Sequence, residues 1–365
     1  MSSQRAIPCL VLRGGTSKGL YFHASDLPED VATRDAVLLA AMGSPDVREI
    51  DGMGGGHPLT SKVAVINAST RPGIDVDYLF LQVWPDRAEV SDNQNCGNLL
   101  AGVGPFALEE GLVAAGGAVT NVHIWMENTE SAAVAHVETP GGDVNYAGAA
   151  HIDGVPGTSA PIPIEFLDVA GSTCGALLPT GHPMDEVDGV NVTCIDNGMP
   201  VVCLRAEDVG VSGYEEPAEL EANPALCEKV EQIRLAAGGM MNLGDVTNKT
   251  VPKVTLLAPA KDGGVVTTRT FIPKKVHEAI GVFGAVSVAT ACLIPGSVAF
   301  ELAGLGVSEG SRTLDIEHPT GYFSVTLEVA VNDGVVAVLS AALLRTARLL
   351  MRGDVFVPAS TWPPS

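Results

Sequence analysis

The stretch Ser91–Val113, SDNQNCGNLLAGVGPFALEEGLV, decides how the rest of the chain is read. Cys96 stands between Asn95 and the pair Gly97 and Asn98. An apolar run follows, Leu99, Leu100, Val103, Phe106, Ala107 and Leu108, spaced by Ala101, Gly102 and Gly104. This pattern predicts a helix entered through a polar, glycine-containing turn with Asn as its N-cap. Because the small residues leave no polar face, the helix is expected to be buried on nearly all sides. Free backbone N–H groups at such an end favour negative charge, so a Cys96 thiolate or a bound carboxylate is stabilised there. The competing reading is a small, inert core cysteine. Against it stand the Asn and Gly neighbours, poor helix formers unless a cap or a ligand turn requires them.

Upstream, residues 7–27 (IPCLVLRGGTSKGLYFHASDL) read as strand, Gly-rich turn, strand. The RGGTSKG turn lacks the GxxxxGK[ST] spacing and leads into a strand, which excludes a P-loop. It offers backbone N–H groups, the Thr16 and Ser17 hydroxyls, and the cations Arg13 and Lys18, which suits a carboxylate or a phosphate. The alternative is a hairpin turn with solvated cations. Residues 30–43 read as a short surface helix. The loop Gly52–Gly56 follows, and after Thr60 and Ser61 the residue Lys62 opens an apolar strand. A lysine there is either a solvated edge residue or, buried against a loop built to approach a ligand, an amine able to act as a base. Residues 75–85 alternate as a strand before the Cys96 helix, and two strands follow that helix.

The second half repeats this order. VTCIDNGMPVVCLRAEDVG (192–210) echoes the first hairpin, with Asp208 matching Asp26. TVPKVTLLAP (250–259) echoes LTSKVAVINA and sets Lys253 against Lys62. VVTTRTFIP (265–273), KKVHEAIGVFGAVSVATACLI (274–294) and SRTLDIEHPTGYFSVTLEVAVNDG (311–334) echo the next strand, the small apolar helix and the closing strand pair. Each half is expected to be a curved antiparallel sheet around one buried helix, with a site in the cleft between the helix N-termini. The first domain is expected to span 1–184 with a C-terminal strand at about 345–358, and the second 185–344. Counting from Arg269 and Thr270 places His277 at the second helix mouth. His318 and His182 fall in Pro/Gly turns, which favours the surface, and residues 359–365 read as a tail.

The chain of 365 residues suits two domains. Its 21 Lys+Arg against 43 Asp+Glu give a formal charge of −22, which argues against nucleic-acid or anionic-membrane partners. A composition of 46% hydrophobic and 5% aromatic residues is that of a packed globular protein. There is no signal-peptide-like or membrane-spanning segment. Seven cysteines without a CxxC pair suggest neither a disulfide framework nor a thiolate zinc site, and point to the reducing cytoplasm.

RGGTSKG (13–19), GSPD (43–46), IDGMGG (50–55), TSK (60–62), VDYLFLQV (76–83), NCGN (95–98) and GAVSVATA (284–291) together resemble one family. It comprises the cofactor-independent isomerases of 3-methylitaconate, 2-methylaconitate and 4-oxalomesaconate, which have the diaminopimelate epimerase fold. The chain is most similar to the 4-oxalomesaconate isomerases (tautomerases) of gallate and protocatechuate catabolism. The resemblance implies an α+β fold of two pseudo-symmetric domains and a 1,3-proton shift on a di- or tricarboxylate, without metal, PLP or nicotinamide cofactor. It implies Lys62 and Cys96 as catalytic residues. Thr16, Ser17, Lys18, Met53, Gly54, Ser61, Asn95, Gly97, Asn98, Arg269, His277 and His318 are then candidates for substrate binding. No second cysteine stands at the other helix mouth, which disfavours a two-cysteine amino-acid epimerase. A non-catalytic carboxylate-binding protein is the alternative from another class. A homo-oligomer is expected.

Overall fold

The computed structural model describes residues 3–92, 96–167, 169–332 and 335–363. The chain divides into two compact units, Met1–Leu167 with Leu344–Ser365, and Asp168–Leu343.

In the first unit β1 (Gln4–Gly14) and β2 (Ser17–His23) form an antiparallel hairpin whose short turn places Gly15 at φ 51°. β2 lies parallel to β3 (Lys62–Ala68), which pairs antiparallel with β4 (Val76–Val83). The short β5 (Val90–Ser91) flanks the end of β4. Beyond it β4 runs parallel to β6 (Val119–Met126), which continues antiparallel into β7 (Ser131–Glu138) and β8 (Ile162–Phe166). The C-terminal strand Ala347–Pro358 returns to pair with β1.

A parallel β2–β3 pair needs a long crossover, and α1 (Val31–Met42) supplies it. Asp30 caps α1 by accepting the Thr33 N–H at 2.9 Å, and Gly43 ends it in the left-handed region at φ 82°. Val37, Leu38, Ala41 and Met42 pack α1 onto one sheet face together with Ile7, Cys9, Val11, Val63 and Val65.

The opposite face carries the Cys96 segment, which is two short helices where one was expected: α2 (Gly97–Leu100) and α3 (Val103–Glu109). Pro105 has no N–H to donate to the Ala101 carbonyl. The chain instead tightens through i→i+3 bonds from Ala101 N to Asn98 O and from Gly102 N to Leu99 O. Gly102 passes against the Tyr21 hydroxyl, where a Cβ would lie 2.3 Å from that oxygen. Leu99, Leu100, Val103 and Phe106 are buried, each worth roughly 1.5–3 kcal/mol of removed apolar surface. The C-terminal residues are docked where a tail was expected: the Arg5 guanidinium stacks 3.3 Å over the Trp362 ring, and Arg5 donates to the Trp362 carbonyl at 3.2 Å.

The second unit repeats the strand plan: β9 (Asp185–Val187), β10 (Val190–Asp196), β11 (Pro200–Arg205), β12 (Lys253–Pro259), β13 (Val266–Phe271), β14 (Gly310–His318), β15 (Gly321–Asn332) and β16 (Val335–Arg345), whose last two residues, Leu344 and Arg345, belong to the first unit. The pairing runs antiparallel β9–β10 and β10–β11, parallel β11–β12, antiparallel β12–β13, parallel β13–β14, then antiparallel β14–β15–β16. The crossover here carries α4 (Pro217–Glu221) and the longer α5 (Pro224–Met240), capped by Asn223. The buried helix is α6 (Val282–Ala291), followed by α7 (Val298–Ala303). It begins at Val282, so residues 274–281 are its approach and not its first turns.

Residues 169–184, read from sequence with the first domain, belong to the second unit. The Asp196 carboxylate accepts the Thr173 and Cys174 N–H groups, each at 2.8 Å, and Gly171 N donates to Asp196 O. No helix among the described residues is long and apolar enough to cross a membrane.

Candidate active site

Lys62 and Cys96 reach one another's neighbourhood through β2. Residues i and i+2 of a strand face the same way, and Ser17 and Gly19 are such a pair. The Ser17 hydroxyl lies 3.9 Å from Cys96 Sγ, and Gly19 is the register partner of Lys62. A Cβ on Gly19 would fall 2.4 Å from the Lys62 carbonyl and 3.2 Å from Leu99 Cδ1. The absent side chain is what lets β3 and the Cys96 segment close on β2 together.

The same logic governs the turn. A Cβ on Gly14 would fall 2.5 Å from Asn98 O, and one on Gly15 would fall 2.2 Å from Asn98 Oδ1. The RGGTSKG turn and Asn98 are therefore packed face to face.

Cys96 is itself the N-cap of α2, its sulfur accepting the Leu99 N–H at 3.5 Å. Asn95, expected to take part, lies outside the described residues. Cys96, Gly97 and Asn98 are half-buried. A four-residue helix contributes little macrodipole, so local backbone N–H groups, not a long helix, supply the positive potential.

Lys62 is only 6% exposed. Its Nζ donates to Gln82 Oε1 at 2.7 Å and sits over the Phe80 ring, 4.9 Å from the centroid. Gln82, 1% exposed, is the register partner of Lys62, and its own Nε2 donates to the carbonyls of Pro58 (3.1 Å), Ser61 (3.1 Å) and Val83 (3.0 Å).

Other first-unit candidates divide by what holds them. Thr16 and Lys18 are half-buried in the turn, where Lys18 N donates to Leu59 O at 3.0 Å. Ser61 is buried, its hydroxyl donating to Glu49 Oε2 and to His57 O. It braces the loop and does not face open space. Met53 N and Gly54 N donate to the Ala41 and Met42 carbonyls at the end of α1. Gly54 leaves room for Glu49, whose carboxylate a Cβ would meet at 2.2 Å. Arg13 donates to Gly15 O, to Thr346 O and Oγ1 and to Ser159 Oγ, so it holds the turn's shape.

Three residues missed from sequence stand in this neighbourhood. Gln82 was legible only as one amide in an apolar strand. Tyr21 donates to Leu99 O at 2.6 Å, and burial, with Cys96 adding to it, raises its phenol well above the usual range. Arg345 is buried and donates to Leu344 O at 2.8 Å. Burial pushes its guanidinium down to about 10, with the Cys96 sulfur acting in the opposite direction.

The second unit holds the remaining candidates. Arg269 donates through Nε to Glu215 O at 2.6 Å and through one terminal nitrogen to Thr268 O at 2.9 Å, and so pins the 212–216 loop. His277 N donates to Thr270 O at 2.8 Å, and its Nδ1 accepts from Ala279 N at 2.9 Å. Burial, then the charge of Lys253, lower its imidazole below the ordinary value. Lys253, half-buried at the head of β12, is itself lowered by burial and by Arg234. His318 is half-buried, and Thr320 beside it donates to Glu278 O at 3.0 Å, which brings His318 near the His277 approach segment. His182 is exposed. Among the described residues no three or more His, Cys, Asp or Glu side chains are grouped to hold a metal ion.

The fold is of the diaminopimelate epimerase-like α+β class, and the relatives that share it along the whole chain are isomerases. A crystal structure of a methylitaconate-delta-isomerase superposes with a TM-score of 0.88 at 35% identity, covering 100% of this chain and 98% of that one. A (4E)-oxalomesaconate Delta-isomerase of Novosphingobium sp. is 66% identical over 96% of this chain and 97% of its own length. A 4-oxalomesaconate tautomerase of Pseudomonas putida is 59% identical over 98% of each. The model of the PrpF protein family matches residues 4–358, and the chain belongs to that family.

Proposed function

We propose that this protein isomerises 4-oxalomesaconate by a 1,3-allylic proton shift, a step in the breakdown of aromatic acids through gallate or protocatechuate. The substrate is taken from the relatives that are 66% and 59% identical. The chemistry is carried by one observation, the buried Lys62 amine whose polar partner is a neutral amide. A carbon proton beside a carboxylate or ketone is weakly acidic, so the reaction needs a placed base and stabilisation of the dienolate.

Lys62 Nζ takes the proton, and the C–H electron pair moves into the conjugated system as the dienolate. The double bond shifts, and a proton returns two carbons away from the Lys62 ammonium or from the Cys96 thiol. Charge that develops on the substrate carboxylates is met by the backbone N–H groups of Gly97 and Asn98, by Thr16, Ser17 and Lys18, and by Arg345. Arg269 is left out, because its guanidinium is committed to Glu215 O. The reading includes a cytoplasmic location, supported by seven free cysteines. It also includes a homo-oligomer, supported by the exposed Leu350 and Phe356 on the C-terminal strand.

The test is a proton NMR time course with 4-oxalomesaconate in deuterated buffer, in which deuterium should appear two carbons from the lost signal. Lys62→Met should nearly abolish turnover with the fold intact; activity within about tenfold of the wild type refutes Lys62 as the base. Silence on 4-oxalomesaconate with turnover of 2-methylaconitate or 3-methylitaconate would transfer the mechanism to another substrate.

A further inference from the structure

We propose that the C-terminal strand Ala347–Pro358 is the surface on which two copies of this chain pair, antiparallel, about a two-fold axis at Gly353. The inference deepens the homo-oligomer reading and rests on it: it names the surface, the partner and the register.

Among the described residues the strand has one ladder partner, β1, so its other edge presents backbone N–H and C=O groups outside any ladder. Edges meant for solvent are kept short or carry Lys or Pro, whereas this one runs 12 residues with no Lys and no Pro before Pro358. Met351, Val355 and Val357 pack into the core beneath α1. The alternate residues face outward, and two of them are large and apolar, Leu350 at 46% and Phe356 at 57% exposed. A formal charge of −22 sets most faces of two copies against each other. This strand departs from that balance, carrying Arg348 and Arg352 against Asp354.

Symmetry restricts the register. When an edge strand pairs antiparallel with its own copy, the pleat sets outward residues opposite outward residues, so the axis passes through a residue that then faces itself. An axis at Arg352 or at Asp354 sets like charges opposite each other. Axes at Met351 and Val355 set Phe356 against Thr346 and against Asp354. The axis at Gly353 sets Leu350 against Phe356 of the second copy and Arg352 against Asp354 of the second copy, and each pair occurs twice. The residue on that axis has no side chain to clash. The register with β1 shifts beside Leu350, so the self-paired run closes there. Arg352 also holds Glu109 at 2.8 Å and Glu110 at 3.5 Å, both through one terminal nitrogen. Its Nε and other terminal nitrogen remain for the second copy's carboxylate.

The experiment is a sedimentation dilution series on the full-length wild type, Leu350→Glu, Phe356→Lys and the double variant, with thermal melts to check the fold at these exposed positions. Each single variant sets a charge against an apolar side chain twice per dimer and should raise the dissociation constant at least about tenfold. The double variant sets a carboxylate against an ammonium and should associate about tenfold more tightly than either single variant. Dissociation unmoved by the single variants, or a double variant no tighter than they are, overturns the assignment. So does Leu350→Glu tightening association, the mark of an axis at Met351, where Leu350 meets Arg352. Failure of the underlying reading looks different: a wild type that stays monomeric up to about 100 µM is no homo-oligomer at all.

Discussion

Gly19→Ala adds one methyl that touches no substrate, yet it should impair catalysis more than stability. The new Cβ would stand 2.4 Å from the Lys62 carbonyl, 3.0 Å from its carbonyl carbon and 3.2 Å from Leu99 Cδ1. Real Cβ contacts do not fall below 3.0 Å, so β3 must retreat from β2 at Lys62 by at least about 0.6 Å. The Leu99 methyl can swing aside, but the Lys62 carbonyl belongs to sheet backbone and cannot. Overpacking of this kind costs about 1–3 kcal/mol. A displacement approaching ~1 Å at a catalytic group costs up to ~100-fold in rate, so kcat should fall about ten- to hundredfold. KM should change less, since the turn residues stay in place. The assay is the NMR time course beside a thermal melt. Gly116→Ala is the control, because a Cβ there meets nothing within 4 Å and the backbone is not in the left-handed region. A folded Gly19→Ala enzyme with kcat within about threefold of the wild type would refute the claim that Lys62 is placed through β2.

Arg345→Met should raise the tricarballylate concentration that half-protects Cys96 from iodoacetamide by about ten- to hundredfold, the size of a charge-assisted hydrogen bond, with Arg345→Lys between; unchanged protection would remove Arg345 from the substrate site. For His277 the imidazole is lowered below the ordinary 6.5 by burial and then by Lys253, with Glu278 opposing. The unfolded chain therefore binds more protons between the folded value and 6.5, so its stabilising effect is full above 6.5 and is lost as pH falls through the folded value. Melting temperature should fall on acidification from neutrality, less steeply in His277→Gln, and equal slopes in the two proteins would contradict this account.

Much of the architecture is legible in the residues because glycine and periodicity speak locally. The hairpin around Gly14–Ser17, the strand opened by Lys62 and the repeat that sets Lys253 against Lys62 all follow from spacing. The break between α2 and α3 was legible too, in Pro105. The apolar run around it masks a single missing N–H. The helix α5 carried its own signals in Asn223, Pro224 and the spacing of Leu226, Val230, Ile233 and Ala237. What the sequence conceals is partnership. Gln82 acquires meaning only through the register that sets it opposite Lys62, and Arg345 only through the return of the C-terminal strand to β1. Arg269 shows the same limit: a cation in a threonine-rich strand reads as a carboxylate binder, and spacing does not reveal that its Nε and one terminal nitrogen donate to the carbonyls of Glu215 and Thr268.

The two halves share a strand plan and diverge in how their turns meet the buried helix. In the first, bare backbone at Gly14, Gly15 and Gly19 lets the Cys96 segment settle within van der Waals distance. The Ser17 hydroxyl and the Cys96 sulfur are left 3.9 Å apart, a loose contact. In the second, the corresponding turn is joined to α6 by hydrogen bonds: Asn197 N to Ser287 Oγ at 3.1 Å, Asn197 Nδ2 to Thr290 Oγ1 at 2.8 Å and Ser287 Oγ to Met199 O at 2.8 Å. Gly198 is closed over by the Phe283 ring, which a Cβ would meet at 2.5 Å. Polar groups that satisfy one another in the interior add rigidity and have little left to offer a ligand. In the first turn the glycines admit the Cys96 segment, while Arg13 and the Gly15 and Lys18 N–H groups tie the backbone to Thr346, Ser159 and Leu59 instead of to the buried helix. The same topology therefore yields a turn packed on glycine in one half and a turn tied to its helix by side-chain hydrogen bonds in the other, and the difference traces to Gly14 and Gly15 where the second half has Asp196 and Asn197.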